Sequence, residues 1–228
     1  MAEHPSLKGL YPFLHGTPRD PATMRRALLE SVQQKAQDSV AAKQRFFAAH
    51  GPAVVAAAEA IAGVYRRQGR MFSMGNGGSS CDAAHFAVEF MHPVTAGRPA
   101  LTAVNLASDM AMVTAVGNDI GIGHIFLRQL IALARRGDGL IGFSTSGSSE
   151  NIMAAFAKAR EMGMVTIGLT GHDGGKMARS TDLDHCLVVP SDSIHRIQET
   201  HMTLYHILWD LVHTLLAEDR GGAMDAPA

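Results

Sequence analysis

The segment MFSMGNGGSSCDAAHFAVEF, residues 71–90, decides how the rest of the chain is read. It passes from a short apolar run through a turn made of Gly75, Gly77, Gly78, Ser79 and Ser80. It then enters a stretch of helical composition in which His85 and Glu89 stand four residues apart. A strand, a glycine-serine turn and a helix form the repeating unit of an open α/β sheet. In such a sheet ligands collect at the carboxyl ends of strands, where unpaired N–H groups of the next helix point outward.

Downstream the same grammar recurs. LTAVNL (101–106), LIGFST (140–145), MVTIGLT (164–170) and HCLVVP (185–190) are short, nearly continuous apolar runs separated by helical segments. Strands of this kind belong to a parallel sheet covered on both faces, so the fold expected is a three-layer α/β sandwich. Upstream, residues 22–50 have helical composition and period, and residues 51–69 restart a helix after Gly51-Pro52, which predicts two helices ahead of the sheet. The expected division is a tail with helices over 1–69 and the sheet domain over 70–228. Residues 193–218 read as one long closing helix, the first twenty residues as an irregular Pro-rich lead, and 219–228 as a frayed tail.

Composition narrows the function classes. The chain has 228 residues, 46% hydrophobic, with 20 basic and 21 acidic residues for a net charge of −1. That balance provides no global field to recruit nucleic acid or an anionic membrane, and points instead to a small or local ligand. Cys81 and Cys186 form no CxxC pair, which indicates neither a disulfide framework nor a cysteine zinc site and reads most simply as two small buried apolar groups. The start of the chain lacks a basic stretch followed by an apolar one, and no apolar run reaches the ~20 residues needed to cross a bilayer. The expectation is a cytoplasmic protein without a membrane partner.

A second turn of the same chemistry, STSGSSEN (144–151), follows the strand LIGF and precedes a helix. Small residues let the backbone approach an anion, hydroxyls add donors without bulk, and a helix start adds partial positive charge. Glycine and serine also cap helices, so either turn alone is ambiguous; two in one sheet point to a phosphate cradle. Neither turn has the GxGxxG spacing and no GxxxxGK[ST] occurs, so a phosphorylated metabolite is favoured over a nucleotide. His85 and Glu89, four apart, lie on one face of a helix, where either can ligate a metal or handle a proton. In the last helix Gln198 and His206 are eight apart and so roughly 80° apart around the axis, whereas Glu199 aligns more closely with His206. His201 fits either a surface or a supporting role. Asp82 follows Cys81 at the start of the first helix, where its carboxylate can complement the helix dipole, and Leu204, Tyr205, Leu208, Trp209 and Leu211 fit core or subunit packing.

Five strings taken together, MGNGGSSCDAAHFAVEF (74–90), GND (117–119), STSGSSENI (144–152), GLTGHDGGKMA (168–178) and RIQETHMTLYHIL (196–208), resemble the sugar isomerase (SIS) domain of phosphoheptose isomerases. The resemblance implies a flavodoxin-like sheet and a homotetramer with active sites between subunits. It further implies enediol interconversion of sedoheptulose 7-phosphate and D-glycero-D-manno-heptose 7-phosphate, with one Zn²⁺ per subunit. Carried over by position, it places Ser144, Thr145, Ser146 and Ser149 on the phosphate, and Asn76, Gly77, Gly78, Ser79, Asp119 and Gln198 near the sugar. His85, Glu89, Gln198 and His206 become metal ligands, and Glu89 and His206 carry the proton. This chain departs from the family where a Gly-Arg pair usually follows the first helix, having FMHPVTAG (90–97), and where an Asp usually precedes RIQE, having His195. Two other readings fit the same pattern: an isomerase of another phosphosugar, and a non-catalytic SIS protein that regulates by binding a partner.

Overall fold

The computed structural model describes residues 20–224. The expected lead over the first nineteen residues and the last four residues lie outside the described part. The elements run α1 (Pro21–Arg66), β1 (Met71–Gly75), α2 (Gly78–Met91), β2 (Ala103–Asn105), α3 (Met110–Asp119), α4 (Ile125–Leu133), β3 (Gly139–Ser144), α5 (Glu150–Glu161), β4 (Val165–Gly171), β5 (His185–Val189) and α6 (Ile194–Met224). Short 3₁₀ turns at Ile122–His124 and Met177–Arg179 complete them.

All five strands pair in parallel, in the order β2-β1-β3-β4-β5. This is the flavodoxin-like doubly wound order, and its direction of winding reverses between β1 and β3. The strands alternate between two cores. Met71, Ile141, Phe143, Ile167 and Leu169 pack with Phe46, Ile61, Phe86, Phe90, Leu204 and Leu208 from α1, α2 and α6. Phe72, Met74 and Leu140 pack on the other face with Phe126, Leu130, Ile152 and Phe156 from α4 and α5. Each of these large side chains removed from water contributes roughly 1.5–3 kcal/mol, which is why both faces of the sheet need helices. The three layers predicted from the apolar runs are present.

Two expectations about α1 change. In place of two helices, one helix of 46 residues runs through Gly51 and Pro52. A proline forfeits one intrahelical bond, but Gly51 lacks the Cβ that would otherwise crowd the proline ring. Burial on both sides of the break, at Phe46 and at Val54, Ala57 and Ala58, favours continuity. The most apolar eighteen-residue window of α1 has a mean hydropathy of 1.4, long and apolar enough by composition for a membrane span, contrary to the expectation. Val54, Ala57, Ala58, Ile61, Ala62 and Val64 are nonetheless packed in the first core, as in the central helix of a folded domain. By its contacts the chain groups into two units divided between Val40 and Ala41. In the first, α1 exposes Leu28, Leu29, Val32 and Val40. At the other end α6 continues to Met224, so part of the expected tail is helical.

Candidate active site

The reversal point between β1 and β3 is where the two serine turns emerge. Asn76, in the first turn, and Asn151, in the first turn of α5, bind each other through both amides. Each Nδ2 donates to the other's Oδ1 at 2.9 Å. A reciprocal amide pair uses all the directional capacity of both groups that face each other, so it staples the two turns in one register. Asn151 is buried and Asn76 exposed, and both border a small cavity with Ile122, Gly123 and Glu150.

The second turn folds on itself. Ser144 Oγ lies 3.3 Å from Ser149 Oγ and accepts from the Gly147 N–H at 3.1 Å. Gly147 has φ 61°, a left-handed conformation that glycine takes without strain, and a Cβ there would overlap the Gly174 carbonyl oxygen. The loop after β4 buttresses the turn from outside, with Met177 N donating to Gly147 O at 2.9 Å and Lys176 N to Ser148 Oγ at 3.2 Å. Ser144 is buried, Thr145 and Ser149 are half-buried and Ser146 is exposed.

On α2 the buried positions Ser79, Asp82, Ala83, Phe86, Ala87 and Phe90 trace the stripe against the sheet. Cys81 falls off that stripe and is exposed, which corrects its reading as a buried apolar group; Cys186 is half-buried, and both are free thiols. Burial pushes the Cys186 thiol up to about 11. Gly77 and Gly78 are exposed at the start of α2, and a Cβ on Gly78 would meet the Gln198 amide. Gln198 and Glu199 both face a groove of about 230 Å³ shared with Gly78, Cys81, Asp82 and Met202. Glu199 is committed to an ion pair with Arg196 at 2.7 Å, while one of its carboxylate oxygens is buried without a partner.

Seven residues further along α2, about 10 Å by helical rise, His85 and Glu89 meet His206 of α6. His85 Nε2 is 3.0 Å from Glu89 Oε1, the His85 and His206 rings stand edge to face at 4.9 Å, and one ligand atom from each of the three lies within 4.8 Å of the others. All three side chains are half-buried. Tyr205, expected only to pack, places its hydroxyl 2.7 Å from His85 Nδ1, which fixes the ring and turns Nε2 toward Glu89. Its phenol is raised well above its ordinary value by burial and by the charges of Asp82 and Glu89, so it stays protonated, and its oxygen accepts from His85 Nδ1–H in the tautomer that leaves Nε2 free to ligate. Burial, and secondarily the His85 charge, holds His206 below its ordinary value against the opposing pull of Glu89. Asp82 is pushed up to about 6 by burial, partly offset by His85. Trp209 Nε1 donates to the Glu89 carbonyl at 2.8 Å, and Arg98 lies 4.4 Å over the Trp209 ring while pairing with Asp210. A Gly-Arg pair, Gly97-Arg98, does stand a few residues past the end of α2, and its arginine braces the cluster from behind.

Two imidazoles and a carboxylate within one ion's reach, with the far nitrogen of His85 already held by Tyr205, are a donor set that suits a divalent metal. Asp119 stands apart. It is exposed at the end of α3, and its carboxylate accepts from the neighbouring Asn118 at 2.9 Å. His195 is exposed at the start of α6.

His201 resolves into a supporting role. It is fully buried, its Nε2 lies 3.1 Å from the Thr170 carbonyl, and its Nδ1 has no partner. Only the neutral tautomer protonated at Nε2 fits that pairing, and burial lowers its pKa from 6.5 to about 4. The stability gained by keeping this ring neutral is full above 6.5 and is lost as pH falls toward 4, amounting to about 3 kcal/mol at the extreme. Urea unfolding of the wild-type chain should therefore show a midpoint that drops between pH 6.5 and 4.5. His201→Gln, which keeps a donor for Thr170 and does not titrate, should flatten that drop; an equal drop in the variant would clear His201 of the effect.

The chain matches the SIS domain family model over residues 34–171. It is 41% identical over 188 residues to a phosphoheptose isomerase of a Roseiflexus species, an alignment covering 82% of this chain and 94% of that protein. Among solved structures it resembles phosphoheptose isomerases from Francisella tularensis (37% identity, TM-score 0.78, 82% of this chain and 98% of that one) and Neisseria gonorrhoeae (40%, 0.76, 82% and 99%). With its strand order, its two stapled serine turns and its His-Glu-His cluster, the chain belongs to the phosphoheptose isomerase family of SIS-domain proteins.

Proposed function

We propose that this aldose-ketose isomerase interconverts sedoheptulose 7-phosphate and D-glycero-D-manno-heptose 7-phosphate. The observation that carries the reading is the convergence of His85, Glu89 and His206 about two helical turns along α2 from the first Gly/Ser turn, which the Asn76–Asn151 pair ties to the second. The phosphate binds at Ser144, Thr145, Ser146 and Ser149, where hydroxyls and the start of α5 converge. Asn76, Gly77, Gly78, Ser79 and Gln198 hold the sugar, with Asp119 assigned near it by the family resemblance. A long phosphosugar suits this spacing, since the phosphate and the carbonyl occupy opposite ends of the substrate.

The Glu89 carboxylate takes the proton from the carbon next to the carbonyl, leaving an enediol, and returns it to the neighbouring carbon. His206, whose lowered pKa favours the neutral form, accepts a proton from the hydroxyl that becomes the new carbonyl and passes one to the old carbonyl oxygen. The two transfers leave enzyme protonation unchanged. His85, Glu89 and His206, joined by Gln198, would hold one divalent ion, Zn²⁺ by the borderline character of its N and O donors. When bound, the ion supplies Lewis acidity at the substrate oxygens. The exposed apolar side chains of Leu28, Leu29, Val32 and Val40 on α1 support assembly as a homo-oligomer, a tetramer on the family pattern with sites between subunits. The balanced net charge supports a cytoplasmic enzyme with neither nucleic-acid nor membrane partners. A non-catalytic regulatory role is disfavoured because a scaffold has no need to bring two imidazoles and a carboxylate together from two helices.

Ser146→Trp tests the cradle. Its side chain is exposed at the turn, so the variant should fold, while binding of sugar phosphate weakens at least about tenfold by calorimetry as the indole fills the anion's place. Unchanged affinity would move the phosphate elsewhere.

A further inference from the structure

A cavity of about 550 Å³ opens at the amino ends of β1, β3 and β4, the end of the sheet opposite both serine turns. Four arginines line it, Arg67, Arg70, Arg135 and Arg136, against a single carboxylate, Asp138. In a chain of net charge −1 this is a marked local concentration of one sign. Arg67, Arg135 and Arg136 are exposed around it, where their charge raises the local concentration of an anion.

The local architecture accounts for one of these charges and leaves three. Asp138 is buried and saturated, accepting from Arg70 N at 2.8 Å, from an Arg70 guanidinium nitrogen at 3.0 Å and from Arg135 N at 2.9 Å. Arg70 also donates to the Leu133 carbonyl at 2.7 Å, which satisfies the carboxyl end of α4. The guanidinium groups of Arg67, Arg135 and Arg136 make no ion pair with any acidic side chain among the described residues. Arg136 does not simply trail into solvent: its stem lies along Gly163, whose Cβ position would be 3.2 Å from Arg136 Cγ, so its charged head is held at the rim. Gly69, Gly137 and Gly163 contribute backbone without side chains to the same lining, which leaves the cavity open.

We propose that this cavity is a second anion site, taking a small molecule that carries two or more phosphoryl groups. Planar guanidinium forks pair with phosphate oxygens two at a time, and three of them spread around a cavity this size can reach phosphoryl groups at more than one point. The volume lies within the range of small-molecule sites and is larger than one inorganic anion requires. Its concave form and the chain's balanced overall charge favour such a ligand over nucleic acid or a membrane surface, which call for a broad basic face. The site lies at the opposite end of β1 and β3 from the two serine turns.

The test is calorimetric titration of the full chain with tripolyphosphate and, separately, inorganic phosphate. Tripolyphosphate should bind more tightly than phosphate. Its affinity should fall at least about tenfold in the Arg67→Ala/Arg135→Ala/Arg136→Ala chain and survive in Ser146→Trp. Circular dichroism melting confirms that the triple variant is folded; the single change Arg136→Glu, at an exposed position, gives the same reading should the triple variant fail to fold. Equal tripolyphosphate affinity in wild type and the arginine variants would overturn the proposal, as would its loss in Ser146→Trp. So would binding of an RNA oligonucleotide or phosphatidylserine vesicles through these arginines without binding of tripolyphosphate.

Discussion

Replacing Glu89 with glutamine should lower turnover by ~10²–10⁴-fold, the usual cost of losing a general base, while leaving the affinity for an unreactive sugar phosphate nearly unchanged. The amide is close to the carboxylate in shape and can still meet His85 Nε2, now 3.0 Å from Glu89 Oε1. The backbone there is held by Trp209 through the Glu89 carbonyl, so the helix should not shift. What the substitution removes is the ability to take a proton from carbon. Because Glu89 is also assigned to the metal, the metal content of the variant is measured beside its kinetics. A loss of rate in metal-replete protein isolates the base, and full turnover by Glu89→Gln would remove Glu89 from the chemistry.

The second large effect is on folding and binding together. Gly147→Ala puts a Cβ on a residue with φ 61° and drives it into the Gly174 carbonyl oxygen, which is backbone and cannot swing away. The left-handed conformation alone costs roughly 1–2 kcal/mol for an L-residue, and the overlap brings the total to about 2–4 kcal/mol. Relief requires moving the turn or the loop at Gly174, which breaks the bonds from Gly147 N to Ser144 Oγ and from Met177 N to Gly147 O. The expected result is a lower urea midpoint with unchanged slope and a loss of sugar-phosphate affinity. A variant as stable as wild type that binds substrate normally would mean that the turn is not the rigid cradle described.

Much of this is legible in the sequence alone. The apolar runs predicted a parallel sheet because a strand buried on both faces cannot alternate with polar residues, and Leu140 and Ile141 do face opposite cores. The Gly/Ser turns announced the loops after β1 and β3, since turn composition is a local property. Continuity across Gly51-Pro52 was hidden because burial on both sides of the pair decides it. Periodicity favoured Glu199 over Gln198, yet both border the groove at Gly78, so angular position on the helix does not separate them. Tyr205 had the signature of a core residue and is one; nothing in its spacing reveals that its hydroxyl meets a nitrogen 120 residues away in the chain. The Asn76–Asn151 staple was equally hidden, because it depends on the strand order that brings β1 beside β3. Asp119 was placed near the substrate by likeness alone, and its exposed position at the end of α3 offers that role no contact in this structure.

The most direct test of the central claim is a turnover assay on sedoheptulose 7-phosphate, run with metal-stripped protein and again after adding zinc, with other ketose phosphates in parallel. The account predicts formation of the aldose 7-phosphate, faster with zinc than without, and slower conversion of shorter sugars whose carbonyl cannot reach Glu89 while the phosphate is held at Ser144–Ser149. Absence of turnover on every ketose phosphate by folded protein, with no zinc retained, would contradict it and favour a SIS protein that acts by binding alone.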